Sequence, residues 1–430
     1  MNNKEAFAGG GLADWLRVLS ERHPTTVDLG LERVEEVRAA LNLTLPMPTV
    51  IVGGTNGKGS VCAMLCAMCR AGGIKTVRYT SPHLLNFNER IVIDGELAND
   101  DSIVSAFARV EATRANCDVS LTYFEFTTLA AALMFSESGA DVAVLEVGLG
   151  GRLDAVNIFP PAVAAVTNVA FDHQEFLGDS IESIAFEKAG IFRPQIQALI
   201  GDSSATTLLE EADKIGATVS LAERDFSATP MESGWNYRGV KQLFSLPYPA
   251  MRGRHQLANA ALAIAILERL PSNLWPGAGA VREGLHSAVA PGRAQVLPGS
   301  PARVLDVAHN PAAAAVLERM LFDMGYYPRT SAVLGMTARK DAAGFVRALQ
   351  KRVDVWHVVC PPGGDLDAND LAKEVNAAGG KTEVYDSMAE AAQAAHACCG
   401  NNGRMLITGS FLTVAGYMQH INELKDATHQ

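Results

Sequence analysis

Thr49-Val50-Ile51-Val52-Gly53-Gly54-Thr55-Asn56-Gly57-Lys58-Gly59-Ser60 is the stretch on which the reading of this chain turns. Four β-branched residues in a row read as a buried strand, paired glycines end it, and a helical pattern runs from Lys58 to Arg70. Glycines let backbone N–H groups converge on phosphate oxygens, and the N-terminus of the following helix adds partial positive charge. In that setting Thr55, Asn56, Gly57 and Gly59 line a phosphate cradle, Lys58 reaches the β- and γ-phosphates, and Ser60 stabilises a phosphate–Mg²⁺ cluster. The spacing departs from the common Walker pattern, which has four residues between its first glycine and Gly-Lys. From Gly54 there are two and from Gly53 three. A glycine-rich turn with an incidental lysine is the ordinary alternative; the strand–loop–helix context favours a nucleotide.

Outward from this loop, short β-branched runs alternate with helical stretches as far as Ile200. Gly72-Gly73 closes the first helix, Ile74 to Thr80 reads as a strand, and a helix from Phe124 to Ser138 stops at Gly139. Val142 to Val147 and Ala162 to Val169 are further strands. Buried runs separated by helices predict a mostly parallel sheet covered on both faces. Pro291, Gly292, Pro298, Gly299 and Pro301 form the densest cluster of breakers, and 291–302 reads as a linker. Strand–helix alternation then restarts at Arg303. The predicted architecture is α/β: an N-terminal P-loop-type domain over 1–290 and a smaller C-terminal α/β, Rossmann-like domain over 303–430.

The 430 residues, 48% hydrophobic and 19% charged, allow a large core and exclude wholesale disorder. A net charge of −11 and a pI near 5.4 argue against nucleic acid or an anionic membrane surface as partner. No apolar leader or membrane-length segment is visible, and an odd set of seven cysteines reads as reduced thiols, so a cytoplasmic protein is expected. Cys62, Cys66 and Cys69 have the spacing of an iron–sulfur motif. They fall on the helix after the phosphate loop, however, where they form a stripe about 10 Å long that no single cluster can bridge. Packing against the sheet is the better explanation.

Three polar groups sit at the ends of inferred parallel strands, where ligands gather in open α/β sheets: Ser81, Glu146 and His173. Each alone has an ordinary reading as a cap or a local ion pair; together they surround one loop. Ser81 and Glu146 suit one Mg²⁺, which prefers oxygen ligands. Histidine is an uncommon Mg²⁺ ligand. Lys188 reads on its own as a surface lysine or a phosphate contact.

Gly54-Thr55-Asn56-Gly57-Lys58-Gly59-Ser60 resembles the nucleotide loop of the Mur ligase superfamily of ATP-dependent amide-forming enzymes. Asp28-Leu29-Gly30-Leu31-Glu32-Arg33, Thr80-Ser81-Pro82-His83, Leu121-Thr122-Tyr123-Phe124-Glu125 and Leu145 to Asp154 extend the resemblance. Asp172-His173, Glu187-Lys188-Ala189-Gly190, Pro291-Gly292-Arg293, Asp306 to Pro311 and Gly409-Ser410-Phe411 complete it. In this order they are similar to the folylpolyglutamate synthase/dihydrofolate synthase branch, over most of the chain. The resemblance implies a central-type domain that binds ATP and pterin, followed by a C-terminal ligase domain. It implies catalytic roles for Lys58, Glu146, His173 and Lys188, and two Mg²⁺ ions held by Ser81, Glu146, His173 and Lys188, the lysine carrying a CO₂-derived carbamate.

It further implies ATP contacts from Asn259, Arg293, Asp306 and His309. Val27, Asp28, Leu29, Thr122, Tyr123, Phe124, Glu125, Leu153, Asp154 and Ala155 are implied to hold the pterin of dihydropteroate. The implied substrates are dihydropteroate, folates, L-glutamate and ATP, in folate biosynthesis and one-carbon metabolism, acted on by a monomer. A cell-wall amino-acid ligase and a non-catalytic nucleotide-binding regulator are the rival readings. Ala312, Arg339 and Leu412 depart from the family pattern on the side of the incoming amino acid.

Overall fold

The computed structural model describes residues 7, 9–23, 25 and 27–428. The first sheet contains β1 (Thr49–Gly53), β2 (Thr76–Tyr79), β3 (Ile91–Ile93), β4 (Glu96–Leu97), β5 (Val142–Glu146), β6 (Val163–Val166), β7 (Gln197–Ile200) and β8 (Thr218–Leu221). Their spatial order is β4-β3-β2-β5-β1-β6-β7-β8. β2, β5, β1, β6, β7 and β8 run parallel, and β3 and β4 form an antiparallel edge. Because side chains alternate along a strand, Val50 and Val52 of β1 face one core and Ile51 the other. Val142 and Val144 of β5 share the first of these cores, Ala143 and Leu145 the second. Both faces are buried, so the strands read as continuous apolar runs.

The helix Lys58–Ala71 lies on one face with His255–Leu267 and Ala278–Ser287. Cys62, Cys66 and Cys69 are buried in that core. Burial pushes all three thiols above their ordinary pKa, so they remain protonated packing groups. A second, antiparallel sheet of β9 (Ser227–Met231), β10 (Gly234–Arg238) and β11 (Gln242–Leu246) was not anticipated from the sequence. It buries Trp235 and Tyr237 in the same core.

The C-terminal sheet contains β12 (Gln295–Leu297), β13 (Ala302–Leu305), β14 (Thr330–Leu334), β15 (Val355–Val359), β16 (Thr382–Tyr385) and β17 (Arg404–Thr408), ordered β12-β13-β17-β14-β15-β16. All pairs are parallel except β12 with β13. The stretch 291–302, expected as linker, is therefore not irregular throughout: β12 forms the edge of the second sheet. Its short run escapes notice among breakers that serve it as turn residues. Among the described residues no helix is long and apolar enough to cross a membrane.

The helix that starts at the phosphate loop is clamped near its C-terminal end. A Cβ built on Gly284 would lie 2.5 Å from the backbone N and Cα of Met68, so the two helices touch where only glycine fits. Gly284→Ala forces the backbones apart and is expected to destabilise the protein by about 1–3 kcal/mol, the usual cost of overpacking. Denaturant unfolding of both forms checks it; equal midpoints with equal slopes contradict the close approach.

Candidate active site

The sheet order assembles the site. β1 lies between β5 and β6, with Val52 opposite Glu146 and Gly53 opposite Val166. The loop leaving β1 is thus flanked by Glu146 at the end of β5 and by the segment Thr167–His173 after β6. Ser81 follows β2, one strand beyond β5.

The loop itself is held by that segment. Thr55 N and Asn56 N donate to Asn168 O and Oδ1, both at 3.0 Å. Thr167 Oγ1 and Asn168 Nδ2 donate to Asn56 O at 2.7 and 2.9 Å. Gly57 takes the left-handed conformation (φ +89°), where a side chain is strained, and a Cβ there would meet Asn259 Oδ1 at 2.8 Å. Asn259, on the helix His255–Leu267, is therefore packed against the turn of the loop. Helix Lys58–Ala71 leaves the N–H groups of its first turn without intrahelical acceptors. Lys58 Nζ donates to Gly54 O and Thr55 O at 3.0 and 3.2 Å, folded back over the loop, and burial lowers its pKa.

Glu146 is 3% exposed, and burial raises its pKa. Ser81 N donates to its Oε2 at 3.4 Å. Lys188, on helix Ile181–Ala189, is also 3% exposed. Desolvation, reinforced by the charge of Lys58, lowers its pKa to about 7. His173 is lowered to about 4 by burial and then by the charge of Lys340, so its imidazole is neutral at physiological pH.

The second domain closes the site from the other side. Asp172 is met by Lys340 Nζ at 2.5 Å, by His309 Nε2 at 3.3 Å and by Asn310 Nδ2 at 3.1 Å. Burial alone would raise its pKa; the hydrogen bond and charge of His309, with Lys340 and His173, outweigh burial and hold the carboxyl far below the ordinary range. Asn310 and Asn56 exchange side-chain hydrogen bonds at 3.2 and 3.3 Å across the domains. Arg293 stands over the ring of Phe411, 5.2 Å from its centroid. Asp306 accepts from Ala294 N and Ala308 N, which ties the start of β12 to the end of β13.

Two cavities meet here. One of ≈ 360 Å³ is lined by Lys58, Ser81, Glu146, Asp172, His173 and Lys188 from the first domain, and by residues including His309, Lys340 and Leu412 from the second. A larger one of ≈ 1230 Å³ is lined by Asn259, His255, Asp306 and Met320 among others; the two share Asn56, Gly57, Arg293 and His309. Of the residues expected at phosphate and metal, Thr55, Asn56, Gly57, Lys58, Ser81, Glu146, His173 and Lys188 line the small cavity, whereas Ser60 lines the large one and Gly59 neither. Asn259 and Asp306 face the large one.

The pterin-side residues form a third group. Arg33 joins two of their segments: Nη1 meets Asp28 Oδ2 at 2.9 Å, and Nη2 meets Asp28 O at 2.7 Å and Glu125 Oε1 at 3.0 Å. Glu125 also caps its own helix, accepting from Thr122 N at 2.7 Å, while Thr122 Oγ1 accepts from Glu125 N at 3.2 Å. Tyr123 and Phe124 are half-buried, and the ring of Phe124 packs on Gly148, which lines the small cavity. Asp154 accepts from Leu149 N and Val156 N, and burial raises it to about 6. Ala155 is buried; Val27, Leu29 and Leu153 are partly exposed. Sequence reasoning missed Arg33, Asp172, Asn310 and Lys340 as site residues. Arg33, Asp172 and Asn310 each fall within a stretch that carries the family resemblance, which is the signal that could have found them.

The family model of the Mur ligase middle domain matches residues 52–267, and that of the Mur ligase glutamate ligase domain matches 292–411. The dihydrofolate synthase/folylpolyglutamate synthase of Escherichia coli (strain K12) is 39% identical over 98% of this chain and 97% of its own. That of Mycobacterium tuberculosis is 33% identical over 83% and 80%. A structure of E. coli FolC in complex with DHPP and ADP superposes with a TM-score of 0.91 at 38% identity, covering 99% of this chain and 100% of the other. A bifunctional folylpolyglutamate synthase/dihydrofolate synthase with Mn, AMPPNP and L-glutamate bound gives 0.87 at 38% identity, over 96% and 99%. The chain belongs to the Mur ligase family, in its folylpolyglutamate synthase/dihydrofolate synthase branch.

Proposed function

We propose that this chain ligates L-glutamate to dihydropteroate and to the γ-carboxylate of folates, using ATP and an acyl phosphate and releasing ADP and phosphate. One observation carries the reading: a phosphate loop, Ser81, Glu146, Asp172, His173 and Lys188 share one interdomain cavity with His309 and Lys340. The relatives named above support it, since they are bifunctional synthases whose structures hold ADP, an ATP analogue, manganese, DHPP or L-glutamate. The free state of all seven cysteines supports the cytoplasm as the place of action. A cavity enclosed between the two domains suits small-molecule substrates.

A carboxylate is a poor acyl donor, and phosphorylating it brings one anion against another. The first turn of helix Lys58–Ala71 and Lys58 bind the phosphates. Arg293 at the domain junction grips them from the opposite side. Asn259 and Asp306 orient the nucleoside part, and Phe124 with Gly148 orients the acyl substrate. The closed second domain excludes water, which protects an acyl phosphate from hydrolysis. The bound amino group of glutamate then attacks the acyl carbon, phosphate leaves, and a proton is lost from the nitrogen.

The donor set fits divalent cations. Glu146 is a buried carboxylate beside Ser81, both oxygen donors, and His173 offers a neutral ring nitrogen. Among the described residues no three His, Cys, Asp or Glu side chains come together as a metal site, and phosphate oxygens, water and a modified lysine would complete the shell. Lys188 as an ammonium does not fit; as a carbamate it does, and a buried lysine lowered to about 7 has the free amine that CO₂ requires. Bound there, two Mg²⁺ ions would neutralise phosphate charge.

Phosphate release from ATP, measured with glutamate present and dihydropteroate, a muropeptide precursor or neither, tests the function. Release that requires dihydropteroate is expected; release indifferent to it overturns the reading. Lys58→Ala and Glu146→Ala are each expected to lower turnover by about 10²–10³-fold, the cost of losing one preorganised charge-stabilising group. Circular dichroism should show them folded, and unchanged turnover removes the residue from the site. Because the Lys188 amine deprotonates as pH rises through about 7, carbamate formation should increase from pH 6 to pH 8. A ¹³CO₂-derived carbamate signal, absent in Lys188→Ala, checks this, and short carboxylic acids should restore part of that variant's activity.

A further inference from the structure

Lys340 stands where a cation would bind. Its Nζ lies 3.3 Å from His173 Nε2 and 2.5 Å from Asp172 Oδ1. An ammonium has only donors, so the contact uses the lone pair of Nε2. That same lone pair is the one a metal ion would take, and it serves a proton donor or a metal but not both. The ammonium side chain is 12% exposed and Asp172 8%, so the pair is largely withdrawn from water. It also crosses between domains, from the loop after β14 to the turn after β6.

The loop is anchored beside it by a second pair, Arg339 Nη1 to Glu175 Oε1 at 3.8 Å. Arg339 is the position where the sequence departs from the acid usual in the family pattern. Two adjacent cations thus dock on one turn that bears Asp172, His173 and Glu175.

We propose that Lys340 holds the cation position at His173 while no metal is there, and that a divalent ion binding Nε2 displaces it. The proposal rests on the reading of His173 as a metal ligand. Its physical basis is charge compensation: a carboxylate as buried as Asp172 is costly to leave unpaired. A lysine from the second domain keeps the turn neutralised in the empty site, and the arriving ion takes over that duty. Linkage makes the effect reciprocal, so metal at His173 loosens the Lys340 tether by the factor by which Lys340 weakens the metal. Lys340 is a positioning residue in this account: it sets when the second domain may shift on the first, and it takes no part in bond making.

The test is Mn²⁺ binding to the full-length protein saturated with a non-hydrolysable ATP analogue, followed by electron paramagnetic resonance. The proteins are wild type, His173→Ala, Lys340→Gln and Lys340→Arg, each checked for folding by thermal unfolding. His173→Ala is expected to lose one Mn²⁺ site. Lys340→Gln is expected to tighten that site by about 5-fold or more, the low end for coupled sites. Lys340→Arg, which keeps the cation, should stay near wild type. A merely structural lysine would leave Mn²⁺ affinity unmoved or weaken it. If His173→Ala loses a site but Lys340→Gln does not tighten it, the displacement is wrong and the metal reading stands. If His173→Ala retains every site, both fall.

Discussion

Asp172 is the charge on which the arrangement of the two domains depends. It sits on a first-domain turn, yet three of the groups that meet it, Lys340, His309 and Asn310, come from the second domain. Removing one partner of a buried pair typically costs about 3–5 kcal/mol, because the other charge is left without water or counterion. The contact between the domains is therefore favoured by the electrostatics of one carboxylate, beside the apolar packing of Leu84 on Leu305 and Val307. The reciprocal Asn56–Asn310 bonds extend the same contact to the phosphate loop, so closing the domains also fixes the loop.

The sheet supplies the geometry that this charge acts on. Strand order alone places Glu146 and Thr167 on either side of Gly53, although they lie far apart in sequence. Parallel pairing puts all the strand ends on one edge, and the loops leaving that edge converge. The helix from Lys58 then has its N-terminus at the site and its body locked against Gly284, which gives the phosphate-binding turn a rigid mount.

What could be read from the sequence follows from this division. The phosphate loop, Ser81 and Glu146 were legible because strand runs and glycine punctuation are local signals, and a residue at the end of a parallel strand has a known address. The sheet of β9 to β11 was not legible, since only Trp235, Tyr237 and a few others along it are buried and its alternation is broken by Pro230 and Gly234. β12 was hidden among breakers. The pairings of Arg33 and Lys340 could not be read from the sequence because their partners, Glu125 and Asp172, lie across the fold. His173 and Lys188 needed the family resemblance, since histidine and ammonium are poor Mg²⁺ ligands on chemistry alone. In the structure, burial lowers the pKa of both the imidazole and the lysine.

The signs of the charges complete the argument. Around the small cavity the first domain contributes the carboxylates Glu146 and Asp172 together with Lys58 and Lys188, whereas the second contributes Lys340, with Arg293 at the junction. An anionic ligand at the phosphate loop therefore meets Lys58 and helix N–H groups on the first domain and faces Lys340 and Arg293 across the cavity. Closure then needs no separate signal for an anion, because the ligand itself lowers the energy of the closed form by pairing with Arg293. Glu146 and Asp172 lie on the first domain, where a cation bound between them and the phosphates is attracted from both sides. A site divided in this way binds its anion and its cation more strongly together than singly, and it is complete only when both domains face each other.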